Sequence, residues 1–261
     1  MKVTKENPLR VFTTFSGYDS QCLALKYAGV PFELVGWSEC DPTSKKPLEQ
    51  QPACVAHNAL FPQWADRNYG DITKINWSNV PDFDFLTYSS PCQDISNAGL
   101  QRGLQKDSGT RSSLLWEVEK AIIAKRPKFL MMENVKALVG KKFRADFEVW
   151  LETLRSYGYQ NFWKVLNAKD YGVPQNRERV FVVSILGGGS FEFPTPIPLE
   201  KRLKDVLEDE VDEKYYLSDR TIKSMIGHCE RKQAEGCGFK FDPKDGGNKP
   251  SDNNGIRRTS N

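Results

Sequence analysis

The sequence is short of the residues on which much familiar chemistry depends. It holds two histidines, His57 and His228, in 261 residues, too few for a histidine-rich metal site and poor material for a histidine-centred triad. Acid–base work must lean on carboxylates or on the substrate. Six cysteines (Cys22, Cys40, Cys54, Cys92, Cys229 and Cys237) are scattered without a C-x-x-C pair, which argues against both a zinc site and a disulfide framework. Free thiols and no bound metal are expected. No apolar run approaches the roughly 20 residues of a membrane span, and the start, MKVTKENPLRVF, lacks the apolar core of a secretory signal. The expectation is a cytoplasmic protein with no membrane partner. The Gly-x-Gly-x-x-Gly fingerprint of nicotinamide-dependent enzymes is missing as well. A net charge of +3 and a pI near 8.4 permit nucleic-acid binding without arguing for it.

What is present is strand, turn and helix in alternation, the texture of an α/β domain. The chain has room for one large domain, or for a domain and a smaller appendage. Residues 9–14, LRVFTT, read as a buried strand that runs into Phe15-Ser16-Gly17 and a segment of helical period carrying Cys22, Leu23, Leu25 and Ala28. A glycine in such a turn lets backbone approach a ligand beside a helix N-terminus, although an ordinary βα turn looks much the same. The next strand, 32–39, ends on Glu39, about 20 residues beyond the turn, where such folds hold ribose hydroxyls; a solvated surface carboxylate is the plain alternative. Gly70-Asp71-Ile72 reads as a further acid at a short strand end, placed to accept from an adenine amino group.

The centre of the chain is residues 83–96, FDFLTYSSPCQDIS, where an apolar strand delivers Pro91-Cys92-Gln93 to a sheet edge. Cys92 is either a buried structural cysteine or a nucleophile whose thiol is activated by its surroundings. Residues 95–110 are rich in Gly, Ser, Gln and Asn and read as a long loop fit to serve as a lid. A helix then carries Leu114, Leu115, Val118 and Ile122 on one face and stops at Pro127. Strand 128–135, KFLMMENV, ends in Glu133-Asn134; a carboxylate there is costly to bury, so its pKa should rise, as in a catalytic acid. The alternative is a carboxylate bonded to a neighbouring loop.

An amphipathic helix through Phe143, Phe147, Trp150, Leu151 and Leu154 closes at Gly158. Strand 161–168 leads to the run Gln175-Asn176-Arg177-Glu178-Arg179 and a last strand over 180–186. Two arginines on alternate positions point the same way; they grip a phosphate and a carbonyl oxygen, or pair with Glu178 and other acids. Beyond residue 186 the texture changes: Gly187–Gly189 and the prolines at 194, 196 and 198 make a linker, and a helical segment with Ser218 as its N-cap and a tail follow. Residues 231–261 carry seven basic side chains against four acids, either a solvated end or a nucleic-acid contact. The division expected is 1–190 and 191–261.

Taken in order, Phe15-Ser16-Gly17, Glu39, Gly70-Asp71-Ile72, Pro91-Cys92-Gln93 with Ser96, Glu133-Asn134-Val135 and Gln175-Asn176-Arg177-Glu178-Arg179 resemble the motifs of the DNA cytosine-5 methyltransferase family. The resemblance covers roughly residues 10–186 and implies a Rossmann-like, doubly wound, mostly parallel α/β sheet that binds S-adenosylmethionine and releases S-adenosylhomocysteine. It implies Cys92 as the nucleophile at C6 of a flipped-out cytosine, Glu133 as the group at N3, Arg179 at the cytosine O2 and Arg177 at the DNA backbone. By the same resemblance Asn134 braces the loop of the cysteine, and Gln93 and Ser96 face the nucleic acid. Phe15, Ser16, Gly17, Glu39, Asp71, Ile72 and Leu114 match positions around the cofactor. Residues 1–190 would then be the catalytic domain and 191–261 the start of a target-recognition region.

Two departures stand out against the family pattern. Asp19 occupies a place usually held by a further glycine, which would narrow the cofactor turn or shift its hydrogen bonds. The later helix and the Gly-Asn-Ser-Val-like motif are absent from these residues, so the resemblance implies a truncated recognition region or a split enzyme completed by a second chain. The partner expected is double-stranded DNA. The same motifs also suit a tRNA cytosine methyltransferase, and the missing motifs suit a non-catalytic cofactor- or DNA-binding fragment.

Overall fold

Apolar runs of strand length alternate with helices through residues 9–186. They form β1 (Leu9–Thr14), α1 (Ser20–Tyr27), β2 (Phe32–Ser38), α2 (Pro52–Leu60), β3 (Phe85–Tyr88), α3 (Leu115–Lys125), β4 (Phe129–Val135), α4 (Arg144–Ser156), β5 (Tyr159–Asn167) and β6 (Glu178–Leu186). The computed structural model describes residues 2–91 and 111–234. Cys92, Gln93, Ser96, the whole loop expected at 95–110 and the tail from Gly236 lie outside the described residues. The chain divides into two compact units, Met1–Asn167 with Arg177–Thr195, and Ala168–Asn176 with Pro196–Asn261.

The first unit is a six-stranded sheet in the order β2-β1-β3-β4-β6-β5. β2, β1, β3 and β4 pair in parallel, whereas β6 runs antiparallel to both β4 and β5. The sheet is therefore mixed and mostly parallel. The chain starts at β1, moves out to β2, then returns past β1 to β3 and β4, so the order reverses between β1 and β3. Ligands of open α/β sheets collect beyond the carboxyl ends of the strands at such a reversal.

Alternation along β1 sends Leu9 and Val11 into one apolar cluster and Phe12 into another. The first cluster holds Cys22, Leu34, Trp37, Cys54 and Phe61; the second holds Leu86, Tyr88, Leu130 and Met132 together with Leu115 and Val118 of α3 and Phe147 and Trp150 of α4. Two helical layers thus find separate cores, as a doubly wound sheet requires. The β1–β2 register shifts between Val11 and Phe12, where Leu34 faces Val11 but Gly36 faces Phe12. The extra residue lets Leu34 and Trp37, three apart, point into one cluster. Gly36 is required at this bulge, since a Cβ there would stand 2.5 Å from Phe12 Cε2 and 2.7 Å from Tyr69 Cε2.

One local expectation is corrected. Gly70-Asp71 does not end a strand: Asp71 caps a short 3₁₀ turn, Ile72–Lys74, and its Oδ1 accepts from Thr73 N at 3.0 Å. An acid followed two residues later by threonine folds back on its own backbone instead of extending. The first strand of the last hairpin, β5, also begins earlier than expected, at Tyr159. In the second unit, Tyr171 bridges in parallel to Ile197, and α5 (Asp219–Ala234) starts after Ser218, whose Oγ accepts from Thr221 N at 3.3 Å.

Candidate active site

At the carboxyl end of β1 the backbone changes hand repeatedly. Phe15, Gly17 and Asp19 have φ of 53°, 57° and 66°, and alternation of this kind makes a concave loop with inward N–H groups. Asp19 N donates to Ser16 O at 2.8 Å and Ser16 N to Ser38 O at 3.3 Å, which ties the turn to itself and to β2. Gly17 N donates to Glu39 Oε2 at 2.7 Å. A Cβ built on Gly17 would meet no atom within 4 Å, so the loop opens onto space beside that glycine.

Glu39 follows β2 directly and is joined to the Gly70 turn by Asn68, whose Oδ1 accepts from Glu39 N at 3.3 Å and from Gly70 N at 2.9 Å. Ser38 Oγ adds a 2.7 Å bond to Gly70 O. Burial pushes Asp71 upward, but hydrogen bonds from Thr73 and the Lys74 ammonium outweigh it and hold the carboxyl below its usual range. Burial, and then the carboxylates of Asp71, Glu39 and Asp41, push the Cys40 thiol up, with Lys74 opposing. Two acids assigned separately in the sequence, Glu39 and Asp71, therefore share one neighbourhood. Ile72 is buried and Phe15 half-buried in the same apolar core, whereas Leu114 stands half-buried at the start of α3. Asn68 was missed by sequence reasoning; its signal was the asparagine two residues before a turn glycine.

The second half of the site lies where β3, β4 and β6 meet. Val135 of β4 faces Arg179 of β6, which makes Glu133 and Arg179 diagonal neighbours on one face. Arg179 Nε lies 3.0 Å from Glu133 Oε1. Burial raises the Glu133 carboxyl above its ordinary value even though Arg179, Arg177 and the Arg179 hydrogen bond all pull it down. Burial and the two arginines thus act on the Glu133 proton in opposite directions, with a cation held against the carboxyl.

Glu178 does not compete for these arginines, because Lys136 Nζ holds both its oxygens at 2.8 and 2.9 Å. Arg177 is exposed, and its backbone N–H donates to Asn167 Oδ1 at 3.0 Å. Tyr88 pairs with Met132 at the last β3–β4 rung, so β3 leaves the sheet one residue short of Glu133. Asn134, 2% exposed, donates from Nδ2 to both Ser90 O and Ser90 Oγ at 3.2 Å. That contact pins the segment leading into Pro91 and Cys92 to the strand that carries Glu133. Of the assigned residues, the structure brings together Glu133, Arg177 and Arg179, and separately Ser16, Gly17, Glu39 and Asp71.

The model of the family described as C-5 cytosine-specific DNA methylase matches residues 9–260. The chain is 43% identical over 257 residues to the type II methyltransferase M2.ScrFI of Lactococcus lactis subsp. cremoris, covering 82% of this chain and 71% of that one. It is 33% identical over 249 residues to the orphan methyltransferase M.SPRI of Bacillus phage SPR, over 84% of this chain and 54% of the relative. With the orphan methyltransferase M.SssI of Spiroplasma monobiae the identity is 38% over 194 residues, 72% of this chain and 50% of the other. The chain thus spans about half the length of two of these relatives. In fold it is similar to the Dnmt2 methyltransferase of S. pombe, with a TM-score of 0.61 at 20% identity over 85% of this chain and 66% of that one. The Entamoeba histolytica methyltransferase EhMeth gives 0.59 at 18%, over 82% and 64%.

Proposed function

Because this chain belongs to the C-5 cytosine-specific DNA methylase family, we propose that it transfers a methyl group from S-adenosylmethionine to C5 of a cytosine in double-stranded DNA. The observation that carries the reading is Glu133, whose carboxyl burial raises above its ordinary value, held 3.0 Å from Arg179 beside the end of β3. The relatives are methyltransferases by name, and the concave turn at Phe15-Ser16-Gly17, open beside Gly17 and bordered by Glu39 and Asp71, fits a nucleoside cofactor with a polar tail. Phe15, Ser16, Gly17, Glu39, Asp71, Ile72 and Leu114 would hold it. Bound there, S-adenosylmethionine supplies an electrophilic methyl group.

In this reading Cys92 adds to C6 of the cytosine, which pushes electron density toward C5 and N3. Glu133, protonated at the start, donates to N3 and stabilises that charge, so that C5 becomes nucleophilic. After methyl transfer a water molecule takes the C5 proton, the C5–C6 double bond re-forms as Cys92 leaves as a thiolate, and N3 returns its proton to Glu133. Arg179 orients the base through its O2 and keeps Glu133 in place; Arg177, exposed beside it, meets the DNA backbone, and Gln93 and Ser96 face the nucleic acid. The reacting edge is stacked inside a duplex, so the base must be turned out into the site. Asn134 limits where Cys92 can go by fixing Ser90. The unit that includes residues from Pro196 would contribute to target recognition.

The test is covalent trapping. Duplex DNA carrying 5-fluorocytosine should form an adduct with the chain in the presence of S-adenosylmethionine, assayed alone and with the C-terminal portion of M2.ScrFI added. Cys92→Ser should abolish the adduct. Absence of any Cys92-dependent adduct under both conditions, with methyl transfer to tRNA instead, would replace DNA by RNA as the substrate.

A further inference from the structure

Beneath the cofactor turn lies a polar cluster to which the reaction assigns no role. Asp19 and His57 are both fully buried, and His57 Nε2 lies 3.6 Å from Asp19 Oδ2. His57 is stacked on Trp37 with ring centroids 3.7 Å apart, so its ring plane is fixed. Asp19 Oδ2 accepts from Thr13 Oγ1 at 2.9 Å, and Thr13 Oγ1 lies 2.8 Å from Ser16 Oγ. A hydroxyl has one proton. Since Thr13 gives its own to Asp19, the proton in the second contact comes from Ser16, whose Oγ shares it between Thr13 at 2.8 Å and Ser38 O at 3.3 Å. The carboxyl group thereby sets the direction of a chain running from Ser16 through Thr13 to Asp19.

Asp19 also occupies its left-handed conformation at the start of α1, where its main chain closes the turn on Ser16. Burial, and then the neighbouring Asp19, hold the Cys22 thiol well above the ordinary value, so Asp19 is surrounded by Thr13, Cys22 and His57. Its Oδ1 and the Nε2 of His57 have no hydrogen-bond partner among the described residues. A buried carboxyl in this state is retained only where its surroundings require it.

We propose that Asp19 and His57 are positioning residues that hold Phe15-Ser16-Gly17 in its cofactor-binding shape, acting through Thr13 and Ser16. The inference rests on the cofactor reading above. His57 confines the Asp19 side chain, Asp19 orders the two hydroxyls, and the ordered turn presents Gly17 N–H to Glu39. Neither residue touches the base or the transferred group.

The test uses the whole 261-residue chain with two variants, His57→Phe, which keeps the stack on Trp37, and Asp19→Asn, which keeps shape and tolerates the left-handed backbone. Two readouts are taken: the Gly17 amide resonance and exchange rate by NMR, and the S-adenosylhomocysteine Kd by calorimetry. Either variant should move the Gly17 amide and weaken binding about tenfold, and the double variant should be no worse than the weaker single, because both act through one path. Methyl transfer at saturating cofactor should stay within about twofold while KM for S-adenosylmethionine rises with Kd. Folded variants with a wild-type Gly17 amide and Kd would overturn the proposal, and if His57→Phe fails to fold, Asp19→Asn decides it. Wild-type chain that binds no S-adenosylhomocysteine would overturn the cofactor reading, while the amide still reports the coupling.

Discussion

Glu133 stands between burial, which favours its neutral form, and two arginines, which favour its charge; burial prevails. The carboxyl carbon of Glu133, followed by NMR, should therefore titrate above the ordinary 4.5. Arg179→Met should push it further up, and by more than Arg177→Met, since Arg179 is the stronger of the two opposing charges. The sign for stability follows. A carboxyl whose folded pKa is raised contributes stability below pH 4.5 that is lost as pH rises through the folded value. Glu133→Gln, which never ionises, should gain in unfolding free energy relative to wild type from pH 4 to pH 8, while losing roughly 10²- to 10⁴-fold in methyl transfer. A difference that shrinks with pH would refute this. At this scale the sequence was informative about type and less so about setting. Glu133 was legible as a strand-end acid, and Asp19 as a departure. That Asp19 lies against His57, 38 positions away, depends on a packing contact between α1 and α2 that no local pattern encodes.

Among the elements, the β1–β2 pair is the least forgiving. Gly36 faces Phe12, whose ring is packed 5.3 Å from Trp77 and 5.2 Å from Phe83, so the Phe12 ring has little room to retreat from a new methyl group. Gly36→Ala should cost about 1–3 kcal/mol, read as a lower urea midpoint with unchanged slope. An unchanged midpoint would show that the bulge relaxes freely. Most strands and helices were legible because their apolar periods were long and uninterrupted, as in the helix from Phe147 to Leu154. Asp71 was misread because the side chain of a short acid competes with extended backbone. The direction of β6 was not legible at all, since apolar runs such as Val180–Leu186 read the same whichever way the strand runs.

For the whole molecule, cofactor binding and stability should be linked. At a hundred times its Kd, S-adenosylhomocysteine should stabilise the folded chain by about 2.7 kcal/mol, a rise of roughly 5–10 °C in Tm. A Tm indifferent to saturating ligand would argue against a nucleoside site. The fold class was visible in the alternation of strands and helices through residue 186. The interleaving of the two units was not, because 168–176 looks like an ordinary hairpin connection in the sequence yet belongs with the segment that starts at Pro196.

The reversed strand has a consequence for how this chain tolerates changes in length. Because β6 enters the sheet beside the exit of β4, Arg179 is set by its rungs with Val135 and Leu166, and Arg177 by its bond to Asn167. The distance travelled between residues 167 and 177 is irrelevant to that placement. Extra residues inserted near Gly172 should leave the Glu133 titration untouched, whereas deleting one residue between Arg179 and Phe181 would turn the arginine to the opposite face and silence it. The connection can drift in length and composition while the arginines stay in register with Glu133.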